Sequence, residues 1–134
     1  MSENITFADL GLSEPMLKAL EKKGYGYPTT IQAEAIPHFL QWRDVIAKAP
    51  TGTGKTFAFG IPMIEHIDAE SPEVQGLILA PTRELAIQIG DELRGLLTHY
   101  RASVLLCFTA AQASADRSSS WRKSRRSWWL PPVG

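Results

Sequence analysis

The loop Ala49-Pro50-Thr51-Gly52-Thr53-Gly54-Lys55-Thr56 constrains this chain more than any other stretch. It follows a short apolar run, Asp44 to Ala47, and precedes Phe57-Ala58-Phe59-Gly60-Ile61, which can continue as a helix. A Gly-rich loop between a strand and a helix N-terminus, ending Gly-Lys-Thr, is the phosphate-binding P-loop pattern. Glycines let consecutive backbone N–H groups curl around a polyphosphate, and the helix N-terminus adds partial positive charge. In that arrangement Lys55 reaches the outer phosphates as a point charge, and the Thr56 hydroxyl takes one position on Mg²⁺. The strict pattern opens on Gly, where this chain has Ala49. The plain alternative is a Gly/Thr-rich surface loop.

A chain of 134 residues has room for one compact domain with a modest core. Fourteen basic residues balance fourteen acidic ones, so any nucleic-acid site has to be local. The single cysteine, Cys107, cannot form an internal disulfide, which favours a reducing compartment. Met1 to Leu10 is polar and acidic, without the basic flank and apolar centre of a signal peptide, and no apolar run approaches membrane-spanning length. These features predict a soluble, cytoplasmic chain with no membrane partner.

Around the loop the sequence alternates between helical and strand patterns. Ser13 is a good N-cap with Pro15 in the first turn; Met16, Leu17 and Leu20 recur at helical spacing, and Gly24 closes that helix. Thr29 or Thr30 can cap a second helix carrying Ile31, Ala35, Ile36 and Phe39, interrupted near Pro37. Val45 to Ala47 reads as a short buried strand before the loop, and Pro62 kinks or shortens the helix after it. Val74 to Ala80, nearly continuous in apolar residues, reads as a second buried strand. A helix from about Arg83 to Thr98 and a third strand over Ser103 to Cys107 follow. Strands alternating with helices predict an α/β domain with a parallel sheet flanked by helices. After Phe108 the pattern fails: Thr109 to Ser120 is Ala/Ser-rich, and Trp121 to Gly134 mixes basic residues with Trp and Pro.

Three stretches together resemble one family. Gly24-Tyr25-Gly26-Tyr27-Pro28-Thr29-Thr30-Ile31-Gln32 is similar to the Q motif of DEAD-box ATP-dependent RNA helicases, with Phe7 at the aromatic position upstream of it. Ala49 to Thr56 resembles their motif I, in which Ala at the first position is usual. Pro81-Thr82-Arg83-Glu84-Leu85-Ala86-Ile87-Gln88 resembles their motif Ia. The resemblance implies an incomplete RecA-like P-loop domain, with a strap and Q motif over 1–32 and the partial ATP-binding domain over 33–107. It implies ATP and Mg²⁺ as cofactors, held by Pro50, Thr51, Gly52, Thr53, Gly54, Lys55 and Thr56. Lys55 and Thr56 act on the phosphates. On the base side Phe7 stacks on adenine with Tyr25 beside it, and the Gln32 amide accepts from adenine N6 and donates to N7. Such a match rejects guanine, whose O6 would face the amide oxygen. Pro81, Thr82, Arg83 and Glu84 hold the RNA sugar-phosphate backbone, a contact without sequence preference. No specific protein partner is implied.

Parts of the family's machinery are absent from the sequence. There is no Asp-Glu-Ala-Asp motif to hold Mg²⁺ and position water, and Asp91-Glu92 lies inside the helix after motif Ia, as a solvated face would. Phosphoryl transfer depends on positioning and charge neutralisation, so this chain alone is expected to bind nucleotide and RNA weakly, without unwinding. A sheet with some of its strands also leaves an unpaired edge, which predicts marginal stability. Among the codon choices permitted for Phe108 to Gly134, one, read offset by one base, gives YGGASISRQIVELEKKPQIVVATPGR, the continuation the resemblance demands. The fixed codons of Trp128-Trp129 force a valine in that frame. Residues 108–134 are therefore read as a frameshifted, disordered tail. The alternatives are a non-catalytic ATP-binding module, a non-functional remnant, and an RNA-binding arm in which Arg117, Arg122, Lys123, Arg125 and Arg126 interleave with tryptophans. His38, His66 and His99 show no ligand-like clustering, and Cys107 reads as a small strand residue.

Overall fold

A computed structural model of the chain describes residues 5–68, 70–71, 73–97, 106–107 and 128–129. These fall into two compact units, one up to His66 and one from Ile67 onward.

The first unit begins with a short 3-10 helix, Phe7–Leu10. Its start is closed by Asp9, whose carboxylate accepts from the Thr6 hydroxyl at 2.7 Å and the Thr6 N–H at 2.8 Å. Those two bonds, the side-chain one first, hold the Asp9 carboxyl below its ordinary pKa. A lowered carboxyl pKa means the cap is fully made above the unfolded value and is lost as pH falls through the folded one. Helix α1, Glu14–Lys22, starts where Ser13 accepts from the Met16 N–H, and it buries Met16, Ala19 and Leu20. Gly24 follows it at φ 81°, the left-handed conformation that glycine takes without a Cβ penalty.

Helix α2, Thr30–Leu40, is capped by Thr29 and contains Pro37, which removes one ladder donor without ending the helix. The turn after it places Trp42 at φ 59°, where its ring stacks on His66 with centroids 3.8 Å apart. Helix α3, Lys55–His66, packs on α2 and buries Phe57, Ala58, Ile61 and Ile64 at helical spacing. Pro62 lies inside α3 and is buried, so the helix runs on past it. Each fully buried large side chain here, Met16, Leu20, Ile36 or Ile61, contributes about 1.5–3 kcal/mol relative to exposure.

In the second unit, α4 (Arg83–Leu97) buries Ala86, Ile89, Leu93 and Leu96 along one stripe. It packs against β1, Leu106–Cys107, which pairs in parallel with β2, Trp128–Trp129. Leu106 stands opposite Trp128 and Cys107 opposite Trp129.

The helices lie where the sequence puts them, while two of the expected strand segments take part in no pairing among the described residues. Val45 to Ala47 and Val74 to Ala80 carry no ladder. Ile46, Leu77 and Leu79 are exposed, Ile46 fully so. An apolar run states only that a segment would be buried if neighbours covered it. Among the described residues the strand pairing is that of β1 with β2, and these runs have no partner in it. The third expected strand is present at Leu106–Cys107; Ser103 to Leu105 lie outside the described residues. Trp128–Trp129 departs from the reading of the tail as free of strand-forming pattern. Two aromatic residues suit a pleated surface but are too short a run to show period two. The remainder of 108–134 lies outside the described residues. No described helix is long and apolar enough to cross a membrane.

Candidate functional site

The loop before α3 has the backbone its glycines permit. Gly52 and Gly54 stand at φ 82° and 85°, and α3 begins on the next residue, Lys55. The first N–H groups of a helix have no intrahelical acceptor, so the loop ends in a set of donors suited to an anion. The Lys55 ammonium is exposed and donates to the Ala49 carbonyl at 2.7 Å; the Thr53 hydroxyl donates to the Pro50 carbonyl at 2.6 Å. Both partners are neutral carbonyls, which a phosphate oxygen can replace at a gain in charge pairing. Pro50 and Thr51 are exposed, and Thr56 is half-buried with its hydroxyl in the first turn. This donor set fits a polyphosphate. For Mg²⁺ it supplies one oxygen, that of Thr56, and the described residues contain no group of three acidic, His or Cys side chains placed to hold a metal.

Among the described residues of this unit Gln32 is the buried polar one, at 4% exposure. Its Oε1 accepts from the Thr29 N–H at 3.0 Å, and its Nε2 donates to the Gly54 carbonyl at 3.1 Å. The start of α2 and the loop before α3 are therefore joined through one amide. A primary amide has two N–H donors and two lone pairs, so one of each is left for a base. Gln32→Ala leaves the Thr29 N–H and the Gly54 carbonyl without that partner, and thermal or urea unfolding should report a loss of about 1–3 kcal/mol. Beside the motif, Ile5, Tyr27, Pro28, Thr29, Thr30 and Glu34 line a cleft of about 320 Å³.

The aromatic residues are arranged differently from expectation. Phe7 is buried at 4% exposure and belongs to the core of the first unit, so stacking on adenine would require its ring to present a face it does not offer here. Tyr25 is 44% exposed and meets Phe57 of α3 edge-on, with centroids 5.1 Å apart. One contact has no signal in the sequence. Glu65, in the last turn of α3, accepts from the Ser13 N–H at 2.8 Å and from the Ser13 hydroxyl at 2.7 Å.

In the second unit, Pro81, Thr82, Arg83 and Glu84 are exposed at the start of α4. The Thr82 hydroxyl accepts from the Leu85 N–H at 3.2 Å, so it caps the helix. Arg83 and Glu84 stand in the first helical turn. Asp91 and Glu92 are engaged within α4, by Arg94 at 2.6 Å and by the Gln88 amide at 3.2 Å, as a solvated helix face would be. His38 is in α2, His66 ends α3 against the Phe39 carbonyl at 3.0 Å, and His99 lies outside the described residues.

A family model described as DEAD/DEAH box helicase matches residues 29–127. The chain belongs to the DEAD/DEAH box helicase family. The match continues beyond Cys107, into the segment read as a shifted frame. The DEAD-box ATP-dependent RNA helicase CshA of Bacillus cereus is 51% identical over 100 residues, covering 75% of this chain and 19% of that protein. The protein of the same name from Bacillus subtilis is 52% identical over 101 residues, covering 75% and 20%. The chain thus spans about a fifth of the length of the curated relatives it matches. A crystal structure of a DEAD box protein from Methanococcus jannaschii superposes with TM-score 0.77 at 33% identity, over 93% of this chain and 33% of that one. The RNA helicase Prp28 from Chaetomium thermophilum, bound to ADP, gives TM-score 0.77 at 32% identity, over 95% and 32%. The fold class is that of these helicase domains, α/β and RecA-like, and among the described residues its sheet is represented by β1 and β2.

Proposed function

We propose that this chain is the nucleotide-binding part of an ATP-dependent RNA helicase, holding ATP through its P-loop and RNA through the start of α4. The observation that carries the reading is the join between Gln32 and Gly54, which ties an adenine-reading amide to the loop that would hold the phosphates. Pro50 to Thr56 would receive the phosphates, with Lys55 exchanging the Ala49 carbonyl for the outer ones and Thr56 offering its hydroxyl to a phosphate-bound Mg²⁺. Gln32 would read the adenine edge, with Tyr25 beside it and Phe7 in the core beneath, supporting that side and not stacking on the base. The strap and Q motif occupy 1–32 and the partial ATP-binding domain 33–107.

Unwinding is assigned to the whole helicase, not to this chain alone. Phosphate release from ATP by the chain should stay at background with or without single-stranded RNA; RNA-stimulated release would show that the parts present suffice. RNA binding should be weak and indifferent to sequence, because Arg83 and the α4 N-terminus address phosphates. Arg83→Ala should weaken binding equally across RNA sequences and reduce the slope of log affinity against log salt by about 0.7, one phosphate contact on a single strand. Fluorescence anisotropy across a salt series measures both, and an unchanged slope would remove Arg83 from the interface.

The segment after Cys107 is proposed to be written in a frame shifted by one base. The shifted reading sets an apolar strand, QIVVA, over the positions where Trp128–Trp129 pair with Leu106–Cys107. The gene sequence from the Leu105 codon onward tests this. Helicase motifs continuing in the other frame would support it, and early stops there would refute it.

A further inference from the structure

We infer that Glu65 is a positioning residue that fixes the base side of the nucleotide site at a set distance from its phosphate side. The inference rests on the ATP reading above. Besides the packing of α2 on α3, three side-chain contacts fasten the segment from Phe7 to Gln32 onto the P-loop and α3: Ser13 with Glu65, Tyr25 with Phe57, and Gln32 with Gly54. Two of these involve residues that the proposed site already uses. The third joins a serine and a glutamate to which the nucleotide reading gives no part.

The chemistry of that contact is strong for a partly exposed pair. One carboxylate oxygen takes the Ser13 N–H at 2.8 Å and the other takes its hydroxyl at 2.7 Å. The same hydroxyl oxygen accepts from the Met16 N–H at 3.4 Å, so its proton is committed to Glu65. Hydrogen bonds to a carboxylate are roughly twice as strong as neutral ones. A negative charge at the start of α1 is further favoured by the helix dipole. Ser13 alone caps α1 weakly, at 3.4 Å; Glu65 completes the cap from another helix.

The placement turns a cap into a lever. Lys55 opens α3 and Glu65 lies in its last turn, about 15 Å away along the helix at the usual rise per residue. At that distance Glu65 cannot touch a phosphate. Ser13 follows the 3-10 helix that carries Phe7 and starts the helix that ends just before Tyr25. Clasping Ser13 to Glu65 therefore adds to the Gln32–Gly54 bond in fixing where Tyr25 and Gln32 stand relative to Lys55 and Thr56. Loosening it should cost recognition of the base while sparing recognition of phosphate.

Calorimetric titration of the full chain with ADP, GDP and pyrophosphate tests this in wild type, Glu65→Ala, Glu65→Gln, Ser13→Ala and the Ser13→Ala/Glu65→Ala double variant. Glu65→Ala should lower ADP affinity about tenfold, toward that for GDP, and leave pyrophosphate binding unchanged. Glu65→Gln, which can still accept from the Ser13 N–H and donate to its hydroxyl, should restore most of the preference for ADP. The double variant should lose no more than the worse single one, since both cut one contact. Equal loss of all three ligands in Glu65→Ala, an intact ADP preference there, or additive losses would overturn the inference. Pyrophosphate binding reports a folded loop in every variant, and Glu65→Gln keeps the test open should Glu65→Ala not fold. A wild-type chain that binds ADP no better than GDP would instead sink the ATP reading, and this inference with it.

Discussion

Gly54→Ala should unfold at markedly lower urea than Gly52→Ala, although both glycines have the same left-handed backbone. Gly52 stands at φ 82° and Gly54 at 85°, so an alanine at either position carries the same conformational penalty of about 1–2 kcal/mol. Their surroundings differ. A Cβ on Gly52 meets nothing within 4 Å, whereas one on Gly54 presses on the Gln32 amide nitrogen and comes within 3.2 Å of the Thr29 hydroxyl. The end of a glutamine side chain usually gives way at little cost. Here it cannot, because Gln32 is buried and both ends of its amide are bonded. Displacing it adds an overpacking cost of about 1–3 kcal/mol and breaks the join between Gln32 and the loop before α3. Nucleotide binding should be lost in Gly54→Ala and only weakened in Gly52→Ala. Equal midpoints for the two variants would mean that the contact between Gln32 and Gly54 contributes nothing.

Lys55→Ala should show the opposite signature, with stability kept and ligand response lost. The Lys55 ammonium is exposed and held by a neutral carbonyl, so its removal should change the unfolding midpoint of the free chain little. A ligand that binds only the folded state stabilises it by about 2.7 kcal/mol at a hundred times its dissociation constant. Wild-type chain titrated with ATP and Mg²⁺ should therefore melt at rising temperature, and Lys55→Ala should melt at a constant one. An unchanged shift in the variant would mean that nucleotide is held somewhere other than the P-loop.

Local signals carried most of what was legible in advance. Ser13 and Pro15, Thr29, and the Gly-Lys-Thr ending of the loop each mark a helix start by chemistry contained within a few residues, and α1, α2 and α3 begin there. Gly24 and Gly54 take the backbone that their type permits. Strands were less legible because a strand is a relation between segments. Val74 to Ala80 has the composition of a buried parallel strand, yet Leu77 and Leu79 are exposed and no described residue pairs with them. Phe7 shows a second limit. Its position predicted a ring open to a base, while its size and apolarity place it in the core of the first unit. The Ser13–Glu65 contact lay beyond reach altogether, since each residue has a sufficient local explanation and nothing in the sequence links them.

Calorimetric titration of the wild-type chain with ATP and with GTP, both with Mg²⁺, tests the central claim most directly. Saturable binding of ATP, with GTP weaker by about tenfold or more, is the predicted result, because only adenine satisfies the remaining donor and acceptor of Gln32. Equal binding of the two nucleotides, or no saturable heat for either, would contradict the assignment of the Gln32–Gly54 junction as an adenine-nucleotide site.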